Sequence, residues 1–119
     1  MDVLEAIAQR RSIRAYEPKQ ITPQQRQALI DAGLQAPSAV NSQPWHFTVV
    51  QVAALIDEIN AAACKQLLKT ATGASRQRFE AENYSLFFHA PTVIFVSGDS
   101  SPEMRYAWLD CGIATENIV

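Results

Sequence analysis

Two short stretches of the sequence hold residue types suited to binding. Arg10-Arg11-Ser12-Ile13-Arg14 sets three guanidinium groups around a hydroxyl, at what reads as a helix end. A guanidinium offers a planar fork of N–H donors that matches phosphate oxygens, and the pairing is charge-assisted. Ala36-Pro37-Ser38-Ala39-Val40-Asn41-Ser42-Gln43-Pro44-Trp45 is a Pro-bounded polar loop between a helix and a strand. Asn41 and Gln43 each carry a donor and an acceptor, which suits the carbonyls and N–H of a flat heteroaromatic ring. Each stretch also has a plainer reading. A solvated basic helix end suits the helix dipole, and turn residues make an ordinary connection. Taken together, the two point to a nucleotide-like cofactor.

The elements that must position these residues follow from caps and periodicity. Asp2 caps a helix with Val3, Leu4, Ile7 and Ala8 on one side, ending near Arg10. Residues 13–19 read as an extended arm, because Pro18 pushes Glu17 out of helical geometry. Thr22-Pro23 starts a second helix, with Leu29, Ile30 and Leu34, that stops before Pro37. Gly33 inside it weakens the helix or permits close packing.

His46 to Gln51 is a strand rich in β-branched residues. Val52, Leu55, Ile56, Ile59, Ala63 and Leu67 recur at helical spacing. Residues 70–75 read as a loop, and residues 77–88 as a helix with Phe79, Leu86 and Phe87 inward. Thr92 to Val96 reads as a central strand buried on both faces. Asp99-Ser100-Ser101-Pro102 opens a last helix carrying Met104, Ala107, Trp108, Cys111 and Ile118. Trp45 is expected in the core.

Composition narrows the function. The 119 residues make one domain at most, and 48% are apolar, enough for a core. The formal net charge is -2, and three of the ten Lys and Arg residues lie between positions 10 and 14. Charge so local suits one phosphate better than a nucleic acid, so no nucleic-acid partner is expected. No apolar run approaches the ~18 residues of a membrane span. Cys64 and Cys111 are too few and too far apart for a disulfide scaffold. They read as small hydrophobes in a protein of the reducing cytoplasm. No spacing suggests a metal site. Ser12, His46 and Asp110 could be drawn as a hydrolytic triad, but no nucleophile-elbow motif accompanies them. His46 and His89 read as structural.

On the Arg10–Arg14 and Pro37–Trp45 motifs, the chain resembles the FMN-dependent nitroreductase family. Tyr84-Ser85-Leu86-Phe87-Phe88, Ala90-Pro91 and the stretch from Trp108 to Asn117 extend the resemblance over residues 1–119. It implies an α+β fold of three layers, a central mainly antiparallel sheet flanked by helices. It implies a homodimer with two FMN molecules in the interface, each contacted by both subunits. Arg10 and Arg14 would hold the FMN phosphate, and Arg11 and Ser12 the ribityl chain or ring edge. Pro37, Ser38, Ala39, Asn41 and Gln43 of the other subunit would frame the isoalloxazine ring, and Asn83 matches a position at its pyrimidine edge. The implied activity takes electrons from NADPH or NADH and passes them to a nitroaromatic, quinone or similar small acceptor. One shared stacking site implies ping-pong turnover, with the redox chemistry supplied by the flavin.

Departures from the family pattern matter as well. Family chains are usually longer by half again or more. The last helix runs to Val119 without a Gly, a Pro or a basic last turn. Residues 1–119 therefore read as the N-terminal, incomplete portion of a nitroreductase-like domain. Two strands alone make a marginal sheet. A Gly-Leu-Gly segment, a backbone donor near flavin N5 and a late basic residue on the phosphate have no counterpart here. The lost burial is on the order of tens of kcal/mol, against a net stability of about 5–15. A chain of this length is thus expected to be unstable or dependent on assembly. Two alternatives follow. One is a truncated, non-catalytic flavin-binding or self-associating protein. The other is a specialised flavin enzyme of the dehalogenating, flavin-fragmenting or azoline-oxidising type.

Overall fold

A computed structural model describes residues 2–119. The first helix, α1 (Val3–Gln9), is capped as expected, with Asp2 Oδ1 accepting the Glu5 N–H at 2.8 Å. The second, α2 (Pro23–Leu34), opens on a reciprocal box. Thr22 Oγ1 accepts the Gln25 N–H at 3.1 Å and Gln25 Oε1 accepts the Thr22 N–H at 2.8 Å. The strand β1 (Trp45–Val50) is followed by α3 (Ala53–Leu67), α4 (Gly73–Glu80), β2 (Val93–Gly98) and α5 (Ala107–Ile118). The two strands pair, with the start of β1 beside the end of β2. The Asp99 N–H donates to Pro44 O at 2.9 Å, and the side chains of Gln51 and Thr92 meet at the other end. The pair is therefore antiparallel.

The described residues fall into two units. The first comprises the chain as far as Ser12, Ile21–Val49 and Ile94–Val119. Its core is Ala36, Trp45, Cys111 and Ala114, with Phe47, Val96 and Ile113 packed against it. Here α2 packs on α5, and Asn117 Nδ2 donates to Ala32 O at 3.1 Å. Gly33 permits that approach, since a Cβ there would stand 3.0 Å from Ile118 Cδ1 of α5, and 2.8 Å from Phe47 Cζ of β1. Trp45 takes the core position expected of it.

The second unit comprises Ile13–Gln20 and Val50–Val93. Residues 13–19 are neither helix nor strand, with a bend at Pro18. Gln20 ties them down, with Nε2 donating to Gln51 O and Pro91 O while Oε1 accepts from Gln51 Nε2 and Thr92 Oγ1.

Four expectations are corrected. The loop read at 70–75 is helical from Gly73, where an Arg76–Glu80 pair at 2.9 Å supports the next turn. The helix read across 77–88 ends at Glu80. Beyond it Asn60 of α3 captures the backbone, its Oδ1 accepting the Leu86 N–H at 2.8 Å and its Nδ2 donating to Tyr84 O at 3.0 Å. Met104 lies outside α5, in a turn opened by the Ser101 N–H on Asp99 Oδ1 at 2.8 Å. Fourth, β2 is half-buried along its length, with Ser97 exposed, and is not enclosed on both faces; it is also not central, since β1 is its one strand neighbour among the described residues.

Candidate functional site

The basic motif sits where α1 ends. Arg10 caps the helix, its N–H donating to Ala6 O at 3.0 Å. The Arg10 side chain is only loosely engaged, with Nε 3.9 Å from Glu116 Oε1. Arg11 folds back, and its Nη1 donates to Ala8 O and Arg10 O, both at 2.7 Å. A guanidinium on the last carbonyls of a helix is what the dipole favours, so the plainer reading of this residue is realised. Ser12 is exposed. Arg14 belongs to the second unit, where its guanidinium carbon stands 6.0 Å from the centre of the Phe88 ring.

The polar loop is a tight, internally bonded turn. The Asn41 N–H donates to Ser38 O and the Ser42 N–H to Ala39 O, each at 3.0 Å, giving one turn of 3-10 helix at Ala39–Asn41. Ser38 Oγ accepts the Gln43 N–H, and Gln43 Nε2 donates to Asn41 Oδ1, again at 3.0 Å. So Ser38, Asn41 and Gln43 form one hydrogen-bonded set. Val40, Asn41 and Gln43 have φ of 48, 55 and 47°, in the left-handed region. Asn tolerates this, whereas a β-branched Val is a true outlier. Such strain persists only where the surroundings over-determine the backbone.

One of those surroundings is Asp110, in the first turn of α5. Its Oδ1 accepts the Ala39 N–H at 3.2 Å. Asp110 is 3% exposed, the only buried charged side chain among the described residues. Its Oδ2 is buried without a hydrogen-bond partner among them. The neighbouring Cys111 thiol is pushed up from its ordinary pKa, first by burial and then by the Asp110 charge.

Pro37, Ser38 and Ala39 form one wall of a hollow of about 330 Å³, and Tyr106, Leu109, Asp110 and Ile113 form the other. Across the turn, Ala39, Val40 and Ser42 border a second hollow of about 240 Å³, closed by Glu103, Met104, Arg105 and Tyr106.

Asn83 lies in the second unit, exposed and left-handed at φ 62°. Its carbonyl meets His89 Nε2 at 3.0 Å, and Phe88 and His89 are themselves left-handed, at 52 and 56°. His89 is exposed and its Nε2 is engaged by this backbone carbonyl. Asp110 bonds to Ala39, and no hydrogen bond joins it to Ser12 or His46 among the described residues.

The sequence motifs leave out the wall that α5 supplies. Its signal is a single carboxylate within the otherwise uncharged run from Ala107 to Ala114. Such a residue is either solvent-facing or held by a specific partner, and only the fold brings Ala39 to it.

Known proteins share both sequence and architecture. The model of the Nitroreductase family matches residues 7–119. A Methanothermobacter thermautotrophicus protein, provisionally named NADH dehydrogenase/NAD(P)H nitroreductase, is 35% identical over all of this chain and 54% of its own length. The Bacteroides fragilis nitroreductase with bound FMN superposes with a TM-score of 0.89 at 37% identity, over 99% of this chain and 62% of that one. A nitroreductase with bound FMN from Desulfitobacterium hafniense gives 0.85 at 32% identity, over 97% of this chain and 61% of that one. The chain spans about half the length of the curated relatives it matches, 54% and 59% of the first two. The two-stranded antiparallel sheet with its helices is part of the three-layer α+β fold of these structures. With the family model covering nearly every position and the same backbone found in nitroreductase structures, the chain belongs to the nitroreductase family.

Proposed function

We propose that this chain is the FMN-binding N-terminal portion of a nitroreductase-type oxidoreductase that works as a homodimer in the cytoplasm. The observation that carries the reading is the Pro37–Gln43 turn. Its polar groups are pre-arranged by their own hydrogen bonds, and it stands over a largely apolar hollow of about 330 Å³. A strained turn of that kind, next to an apolar wall with few polar groups, suits a planar ring with carbonyls at its edge.

The donor set also fits FMN. Arg10 and Arg14 are assigned to the phosphate, where each brings a fixed fork of donors. Arg11 and Ser12 are assigned to the ribityl chain or ring edge. Arg11 has five N–H donors, so capping α1 and contacting a cofactor are compatible. Pro37, Ser38, Ala39, Asn41 and Gln43 are assigned to the ring held with the second subunit, and Asn83 to its pyrimidine edge. When bound, the flavin would supply the redox chemistry between NADPH or NADH and nitroaromatic, quinone or similar acceptors. The residues of this chain bind it, orient it and exclude water.

The dimer reading rests on uncovered apolar side chains. Val3, Leu4 and Ile7 of α1, and Trp108 and Leu109 of α5, are all more than 60% exposed. Large apolar side chains left uncovered on two helices are what a partner surface would cover. Both cysteines are free, in keeping with a reducing compartment. No helix among the described residues is long and apolar enough to cross a membrane.

The test is gel filtration of the purified chain with FMN, followed by anaerobic addition of NADPH or NADH. The expected result is flavin absorbance co-eluting at twice the chain mass, then bleaching by the nucleotide. Bleaching that fails while flavin co-elutes leaves a flavin-binding protein without the reductase step. No co-eluting flavin sinks the reading for this chain.

A further inference from the structure

A half-satisfied carboxylate in an apolar wall is costly. Buried charges usually have several partners. Asp110 has the Ala39 N–H on one oxygen and nothing on the other among the described residues. Its neighbours Ala107, Cys111 and Ala114 are buried and nonpolar, so an apolar residue would suit this helix face better. The compensation must lie in what the carboxylate does. It fixes Ala39, which opens the left-handed segment and lines the same hollow as Asp110 itself. It also places a negative charge in that wall, where the low dielectric makes charge count for more than in water.

We propose that Asp110 is the positioning residue of the ring-framing turn, and that its charge holds down the reduction potential of the flavin bound against it. This rests on the FMN reading above. The hydrogen bond ties the turn to a helix, so the cofactor meets a surface already ordered, and binding loses less to ordering. The fixed charge disfavours adding electrons to a ring nearby, whichever donor supplies them.

Two variants separate the roles. Asp110→Asn keeps an acceptor oxygen for the Ala39 N–H and removes the charge. Asp110→Ala removes both. FMN affinity is read by quenching of flavin fluorescence, folding by near-UV circular dichroism, and the potential of the bound flavin by anaerobic dye-linked titration. We expect Asp110→Asn to bind FMN close to wild type with its potential shifted positive. We expect Asp110→Ala to weaken binding by about tenfold, because the loosened turn must then be ordered when FMN binds. If Asp110→Ala does not fold, the potential of Asp110→Asn decides alone. Wild-type chain that binds no FMN overturns the flavin reading itself. Wild-type chain that binds, with Asp110→Ala equally tight or Asp110→Asn unmoved in potential, overturns only the role of Asp110.

Discussion

Gly33 faces the ring of Phe47 so closely that a Cβ built on it would lie 2.8 Å from Phe47 Cζ and 3.0 Å from Ile118 Cδ1. Phe47 packs against the core of the first unit, and α2 lies on α5 at this level. Ala is the better helix former by about 1 kcal/mol, and on propensity alone Gly33→Ala should stabilise. Overpacking a closed contact costs about 1–3 kcal/mol. We expect the contact to win, with Gly33→Ala less stable by about 1 kcal/mol in chemical denaturation. A rise in stability would mean that Phe47 yields freely.

Val40 presents the opposite case. It is 99% exposed, β-branched and held at φ 48°. A left-handed L-residue costs roughly 1–2 kcal/mol, and Val40 has almost no burial in the chain to offset it. Val40→Asn keeps a side chain that tolerates this backbone. Its expected effect is a gain of about 1 kcal/mol, read from the denaturation midpoint. No gain would show that the turn stores little strain at this position.

Arg10 and Arg14 should separate binding from stability. Arg10 meets Glu116 only at 3.9 Å, and the two side chains are 42% and 69% exposed, so that pair is worth little to the fold. Arg14 lies over Phe88 at 6.0 Å, a contact of about 0.5–1 kcal/mol. Arg10→Ala should leave the denaturation midpoint in place, and Arg14→Ala should lower it slightly. Both should weaken FMN by about ten- to a hundredfold in a fluorescence titration. Unchanged FMN affinity in Arg10→Ala would remove it from the phosphate site.

Cys111 gives the chain a specific alkaline sensitivity. Burial, aided by the Asp110 charge, raises its pKa in the folded state. An unfolded chain starts to ionise this thiol near its ordinary value, about 8.5. Above that pH the folded state binds more protons than the unfolded one, so stability falls as pH rises towards the folded pKa. Below it, this contribution is fully present. Denaturation midpoints of wild type should therefore fall more steeply than those of Cys111→Ala from about pH 8 to about pH 10. Parallel declines would count against it. Half-buried Cys64 should react with iodoacetamide before buried Cys111 does.

What could be read in the sequence was local or motif-borne. Thr22, Pro23 and Gln25 make their cap within four residues, and Asp2 and Glu5 do the same, so both helix starts were legible. The spacing of Ile56, Ile59, Ala63 and Leu67 announced α3. The Arg10–Arg14 and Pro37–Trp45 motifs led to the nitroreductase resemblance that the family match bears out. What escaped depends on partners distant in the chain. The end of α4 is set by Asn60 capturing Tyr84 and Leu86, and residues 24 and 26 positions apart leave no periodic trace. The place of Asp110 in the site depends on Ala39, 71 positions away. A carboxylate's type shows what it can accept, and only the tertiary contact decides from which donor. Backbone strain at Val40 and Gln43 is hidden for the same reason, since their residue types favour other conformations and only the closed turn imposes this one.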